Sequence, residues 1–245
     1  RRPRLGTNGT PLIYRRFAWG DLARRPVLEG RQYRSKQPCY QAPNFGKGHM
    51  EVESCSDLAD PGRTLLGFEQ ERWLYDGLKR SEARWNLLAQ NLLMAPLRAQ
   101  RPDSGEARYW TDNWDGYQAA RGRLIDNLQG SRVANPVVLS GDYHSFWANH
   151  LHERPEDPGS RLVAAEFVGT SITSNGPSYE AIQSILPANP QIRFYDSRPR
   201  GYLSLDLDRE RLEVKMQAIS DRLDPQASVS TLKRFVVESG SPRVH

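Results

Sequence analysis

Three observations make the chain a layered α/β or α+β domain. Short apolar runs rich in β-branched residues, such as Val137-Val138-Leu139, end at glycine or polar turns, as buried strands do. Between them lie segments with the three-to-four-residue apolar spacing of amphipathic helices. The 245 residues suffice for a sizeable core, as one large domain or two small ones. Strands alternating with helices bury their apolar faces only by stacking in layers.

In chain order, Tyr14–Trp19 and Arg25–Tyr33 read as strands around a turn at Gly20-Asp21. Residues 36–62, rich in Pro, Gly and polar side chains, read as a long loop. Thr64–Ser81 reads as a helix whose stripe is Leu65, Leu66, Phe68, Trp73, Leu74 and Leu78. Trp85–Leu97 reads mostly as strand, with Asn86, Gln90 and Asn91 embedded in it, and 99–113 as loop. A helix begins near Gly116, with Asp115 as N-cap and Gln118 completing a capping box. Val137–Leu139 is a buried strand and Phe146–His152 the start of a short helix. Arg161–Val168 is a strand, Ser178–Leu186 a helix bounded by prolines, and Gln191–Tyr195 a strand. Gly201–Leu207 and Arg211–Ala218 form a hairpin.

Composition narrows the function classes. No apolar stretch approaches the ~18 residues that span a bilayer. The net charge of +5 is carried by arginine, with lysine only at 36, 47, 79, 215 and 233. Arginine spread this evenly argues for surface solvation and against a nucleic-acid-specific stripe, while still suiting phosphate-bearing substrates. Arg1-Arg2-Pro3-Arg4 resembles a twin-arginine signal only superficially, because no apolar run follows it. Cys39 and Cys55 bracket a polar loop; their spacing excludes a CxxC metal site and leaves a loop-closing disulfide or two free thiols.

The tetrad Gly141-Asp142-Tyr143-His144 carries the most chemistry. It follows the Val137–Leu139 strand, so an aspartate and a histidine two residues apart on its turn can aim at one point. A hard anionic ligand and a neutral nitrogen ligand on rigid support are what a hydrolytic metal requires; a purely structural turn is the plainer alternative. In Asp112-Asn113-Trp114-Asp115-Gly116-Tyr117 capping explains Asp115, whereas Asp112, Trp114 and Tyr117 are candidates to line a phosphate pocket. His150 is a further substrate-site candidate, though six residues from His144 is a poor helical match; His152 reads as exposed. Glu166–Ser174 reads as a strand entering a hydroxyl-rich turn.

Several strings together resemble the PhoD-like (alkaline phosphatase D) metallophosphatases. These are Tyr14-Arg15-Arg16-Phe17, Arg31-Gln32-Tyr33-Arg34, Leu66-Gly67-Phe68-Glu69-Gln70, Trp114-Asp115-Gly116-Tyr117, Gly141–Trp147 and Glu166–Ser171, in the expected order. The resemblance implies a calcineurin-like four-layer αββα sandwich, of which residues 1–245 form the C-terminal half with its hairpin. It implies hydrolysis of phosphate mono- and diesters by metal-activated water, with iron and calcium as cofactors, outside the cytoplasm. By position Asp142 and His144 match the family's late metal ligands, and export favours the Cys39–Cys55 disulfide. The family's upstream Asp-Asp-His-Glu stretch and its asparagine-containing loop have no counterpart here, so an upstream half is the expected partner. Apolar surface around Trp85–Leu97 and Val137–Leu139 is then expected to be exposed. A non-catalytic domain that binds phosphorylated ligands or acts as a scaffold is the alternative.

Overall fold

The computed structural model describes residues 4–5, 9, 11–41, 48–100 and 105–245. Beyond the small pair β1 (Arg4–Leu5) and β2 (Pro11–Leu12), the strands are β3 (Arg15–Trp19), β4 (Ala23–Val27), β5 (His49–Glu51), β6 (Trp85–Ala89), β7 (Arg98–Gln100) and β8 (Ala107–Trp110). They continue with β9 (Pro136–Ser140), β10 (Phe146–His152), β11 (Leu162–Val168), β12 (Ile192–Asp196), β13 (Arg200–Leu207), β14 (Arg211–Ile219) and β15 (Val229–Glu238). The α-helices are α1 (Phe68–Lys79), α2 (Gln118–Gly130) and α3 (Tyr179–Ile185).

A seven-stranded sheet in the order β12-β10-β11-β9-β6-β4-β3 forms the middle layer. Its centre is parallel: β4 with β6, β6 with β9, and β9 with β11. One face packs under the helices, with Leu88, Val138, Trp147, Leu151 and Val168 against Leu74 and Leu78 of α1 and Leu124, Ile125 and Leu128 of α2. The other face packs on the antiparallel β13-β14-β15 sheet, with Trp85, Leu87, Val137, Phe146, Ala148 and Phe167 against Leu212, Val214, Met216 and Phe235. The described residues thus form three layers: helices, large sheet, small sheet. The small sheet's outer side carries Asp206, Glu213, Lys215 and Arg234, joined by ion pairs.

This second sheet overturns the expectation of exposed apolar surface. Trp85, Leu88, Val137 and Val138 are all buried, because Leu212, Val214 and Met216 cover the side that the helices leave open. Phe146–His152 is a strand, β10, and not the start of a helix. All seven of its residues are buried, with Phe146 and Ala148 facing the second sheet and Trp147 and Leu151 facing the helices. A strand covered on both sides loses the polar–apolar alternation that would reveal it.

Other boundaries shift for local reasons. Helix α1 starts at Phe68, after Gly67 in a left-handed conformation (φ 78°), so Thr64–Leu66 lie outside it. Glu69 and Glu71 in its first turn and Lys79 in its last complement the helix dipole. The strand predicted at Arg25–Tyr33 ends at Val27, and the one predicted at Trp85–Leu97 ends at Ala89. The predicted loops hold the sheet β5-β8-β7, and the predicted hairpin gains a third strand, β15. Cys39 and Cys55 are disulfide-bonded, with Cα atoms 6.0 Å apart. The Arg1–Pro3 string lies outside the described residues.

Candidate functional site

Strands β4, β6, β9 and β11 run in one direction, so their carboxyl ends share an edge of the sheet, where α/β folds place ligands. Gly30-Arg31 follows β4, Gln90-Asn91 follows β6 and Gly141–His144 follows β9. Asn91 joins the three ends: its Oδ1 accepts from Gly30 N (2.9 Å) and its carbonyl from Gly141 N (3.2 Å). Antiparallel β10 begins at this edge and β12 ends there, because Phe146 pairs with Asp196.

The Gly141–His144 turn is strained. Asp142 (φ 64°) and His144 (φ 53°) both occupy the left-handed region, which costs a non-glycine residue roughly 1–2 kcal/mol. Such outliers concentrate at functional sites. Between them Tyr143 packs edge-on against Trp147, 5.3 Å between ring centroids, and burial pushes its phenol pKa up.

The Asp142 carboxylate accepts from Arg31 Nη2, while His144 Nδ1 lies 2.9 Å from the Asn175 carbonyl. The two side chains therefore hold different partners. A carbonyl only accepts, so in this contact Nδ1–H donates, and Nε2 is the ring nitrogen that it leaves unengaged. Metal-ligating histidines are commonly oriented by such a contact.

Arg200 fixes the ground behind His144. Its buried guanidinium donates to the His144 carbonyl (3.0 Å), Ser171 Oγ (3.1 Å), the Ser174 carbonyl (2.6 Å) and the Ser197 carbonyl. Gly176 fills the remaining gap, since a Cβ there would lie 2.5 Å from the His144 carbonyl oxygen. Asn175, Gly176, Arg198, Arg200 and Arg222 line the adjoining cleft.

Asp112 belongs to this end of the molecule. Its Oδ1 accepts from Arg31 Nη1 (2.7 Å), Arg34 Nη1 (2.8 Å) and Gln37 Nε2. Burial alone would raise its pKa; the bonds from Arg31 and Arg34 outweigh burial and hold it below the usual carboxylate range.

Trp114 and Tyr117 lie deeper and are buried. Trp114 Nε1 donates to Gln90 Oε1 (3.2 Å), and the Tyr117 hydroxyl donates to the Ser35 carbonyl (2.8 Å). They brace the strand ends and the Arg31–Gln37 segment from within.

His150 lies four residues along β10 from Phe146, about 13 Å from this edge at the usual rise per residue. It is buried, and its Nε2 accepts from Val244 N (3.1 Å). Burial, with neighbouring Arg193, pushes its pKa down to about 4. The structure thus places His150, read as a substrate-site candidate, away from this edge, where it is an internal acceptor between two chain segments. His152, expected to be exposed, is buried too, its Nδ1 2.9 Å from the Ser160 carbonyl.

Asp115 is not the helix cap. Asn113 caps the 3-10 turn Trp114–Tyr117 by accepting from Asp115 N (2.8 Å). The Asp115 carboxylate instead pairs with buried Arg121 and accepts from Leu97 N (3.0 Å). Glu166, fully buried, accepts from Met94 N (2.7 Å), Ala95 N (2.8 Å), Ser140 Oγ (2.7 Å) and Asn149 Nδ2 (3.0 Å). These two carboxylates strap Met94–Leu97 to the core beneath the site.

Sequence reasoning did not single out Arg31, Asn91 or Arg200. The available signal was a polar pair, Gln90-Asn91, breaking an apolar run where a strand stops.

Among the described residues no group of three or more His, Cys, Asp or Glu side chains is placed to hold a metal ion. His144 fits a ligand's role as it stands; Asp142 has Oδ2 engaged by Arg31, which leaves Oδ1 for a metal unless Arg31 is released. Two donors are fewer than the three or more protein ligands that tightly held catalytic metals usually take.

Fold and strand-edge site together define an α/β protein with a candidate ligand site at the carboxyl ends of its parallel strands. The PhoD-like phosphatase family model matches residues 2–216, so the chain belongs to that family. Alkaline phosphatase D of Bacillus subtilis (strain 168) is 38% identical over 229 residues, which are 92% of this chain and 37% of that protein. A solved structure described as "Structure of PhoD" superposes with a TM-score of 0.86 at 35% identity, over 100% of this chain and 45% of the other. The chain therefore spans less than half the length of these relatives.

Proposed function

We propose that this chain is the C-terminal part of the catalytic domain of a metal-dependent phosphoesterase, acting on phosphate mono- or diesters outside the cytoplasm. In this reading the chain contributes the second half of a calcineurin-like αββα sandwich. The observation that carries it is the turn at the carboxyl end of β9, which presents Asp142 and a His144 whose Nδ1 is engaged by the Asn175 carbonyl, so that Nε2 is the nitrogen left for a metal. The relatives' names and the family model support the phosphate-ester class, and the Cys39–Cys55 disulfide supports an oxidising compartment. Among the described residues no helix is long and apolar enough to cross a membrane.

Asp142 and His144 would hold metal, with the other ligands supplied by the portion of the relatives that this chain does not match. Iron and calcium are the metals that the family resemblance implies. A bound metal would supply Lewis-acid polarisation of the phosphoryl group and acidify the attacking water. This chain's own residues do the positioning: Arg200 and Gly176 fix the His144 main chain, Asn91 ties the strand ends, and Glu166 and Asp115 hold the floor.

The test is to purify residues 1–245, add iron and calcium, and assay a chromogenic phosphate ester. Weak metal binding and no turnover are expected. Robust metal-dependent turnover by a well-behaved monomer would show that the site is complete within this chain and overturn the partial-site reading.

A further inference from the structure

We propose that the Arg31–Asp142 ion pair plugs an anion site: Arg31, oriented by Asp112, takes a phosphoryl group once the Asp142 carboxylate is withdrawn from it. This inference rests on the phosphate-ester reading above and names the residue of this chain that meets the substrate's charge.

The argument begins with an asymmetry between the two carboxylates on Arg31. Asp112 is partly buried and receives Arg31, Arg34 and Gln37 together. Its side chain is 21% exposed, against 50% for Asp142. Asp142 has Arg31 as its one ion-pair partner among the described residues. One edge of the guanidinium is thus anchored and the other is held by a solvent-facing group on a strained turn. The Arg31 main chain is fixed as well, its N–H donating to Glu29 Oε1 (2.7 Å) directly after the end of β4. Arg31 is a rigid fork at the sheet edge, not a wandering surface side chain.

The charges balance while the plug is in. Arg31 and Arg34 face Asp112 and Asp142, two positive charges against two negative. Removing the Asp142 charge leaves an excess positive charge and one unsatisfied guanidinium edge at the carboxyl ends of the parallel strands. Carboxylate and phosphate oxygens compete for the same planar donor edge of arginine. If Asp142 turns to a cation, the same movement frees Arg31 for the ester's phosphoryl oxygens. Asp112 acts through Arg31 and is a positioning residue.

The 245-residue chain tests this without turnover, by calorimetric titration with inorganic phosphate at neutral pH. Asp142→Asn keeps a residue that tolerates the left-handed conformation and removes the charge. It is expected to bind phosphate at least tenfold more tightly than the unsubstituted chain. Adding Arg31→Met should abolish the gain, and Arg31→Lys should restore only part of it. Adding Asp112→Asn to Asp142→Asn should weaken binding although it removes a negative charge; a gain would leave simple charge and overturn the positioning role. Phosphate affinity unchanged in Asp142→Asn, with the native circular dichroism spectrum retained, would overturn the plug itself. Absence of ester hydrolysis in a chimera that supplies the rest of the relative's domain would count against the phosphoesterase reading, while the phosphate isotherm of the 245-residue chain decides the plug.

Discussion

Glu166 shows how a single side chain supports the site without entering it. All four of its partners are donors, so the pocket is built for a group that only accepts. Glu166→Gln turns an NH₂ toward one of those donors and should cost about 1–3 kcal/mol, read as a lower urea midpoint with an unchanged slope. His150 supplies a pH handle of a different kind. Its pKa falls from the model-peptide 6.5 to about 4 on folding, so between these values the unfolded chain holds the extra proton. Stability must then fall as pH drops from about 6.5 to about 4. His150→Gln keeps an acceptor for Val244 N but does not titrate. Melting temperatures at pH 7 and pH 5 should therefore differ less for the variant than for the unsubstituted chain. An equal difference would remove His150 from the acid response.

At the scale of elements, the disulfide closes one long loop and the Trp114–Tyr117 turn braces the strand ends. Cys39 and Cys55 are 16 residues apart, and closing such a loop is worth about 3 kcal/mol in the chain-entropy account. Reduction should lower the thermal midpoint accordingly, and no change would mean that other contacts hold the loop. Gly116 sits where a Cβ would be 2.1 Å from the Thr111 carbonyl oxygen. Gly116→Ala must therefore displace backbone and should destabilise the fold by more than the few tenths of a kcal/mol typical of a surface change. Elements with one-sided burial were legible in the sequence: Leu74 and Leu78 mark the buried side of α1, and the β13–β14 hairpin was read directly. Strand β10 was not, because burial on both faces erases alternation. Strand β15 escaped because its first six residues are exposed and only Phe235 and Val237 are buried. That Asp142 and His144 follow directly on a strand was legible, since β9 ends at Ser140. Arg31, Asn91 and Arg200 were not, because pairings such as Arg31 with Asp142, 111 residues apart, exist only after the sheet assembles.

For the whole molecule, the two cores explain why 245 residues form a layered body although they span less than half of each relative. The small sheet covers the large sheet's second face, so the apolar patch expected of a half-domain is absent around Trp85–Leu88 and Val137–Val138. The isolated chain is accordingly predicted to run as a non-aggregating species in gel filtration, while its site stays short of ligands. The most direct test of the central claim is a chimera in which this chain replaces the matching region of the Bacillus subtilis relative, with metal content and phosphate-ester hydrolysis measured with and without His144→Ala. The account predicts that the chimera hydrolyses the ester and that His144→Ala loses bound metal and at least ~99% of the activity, roughly 3 kcal/mol of transition-state stabilisation. A folded His144→Ala chimera with full metal content and undiminished turnover would contradict it.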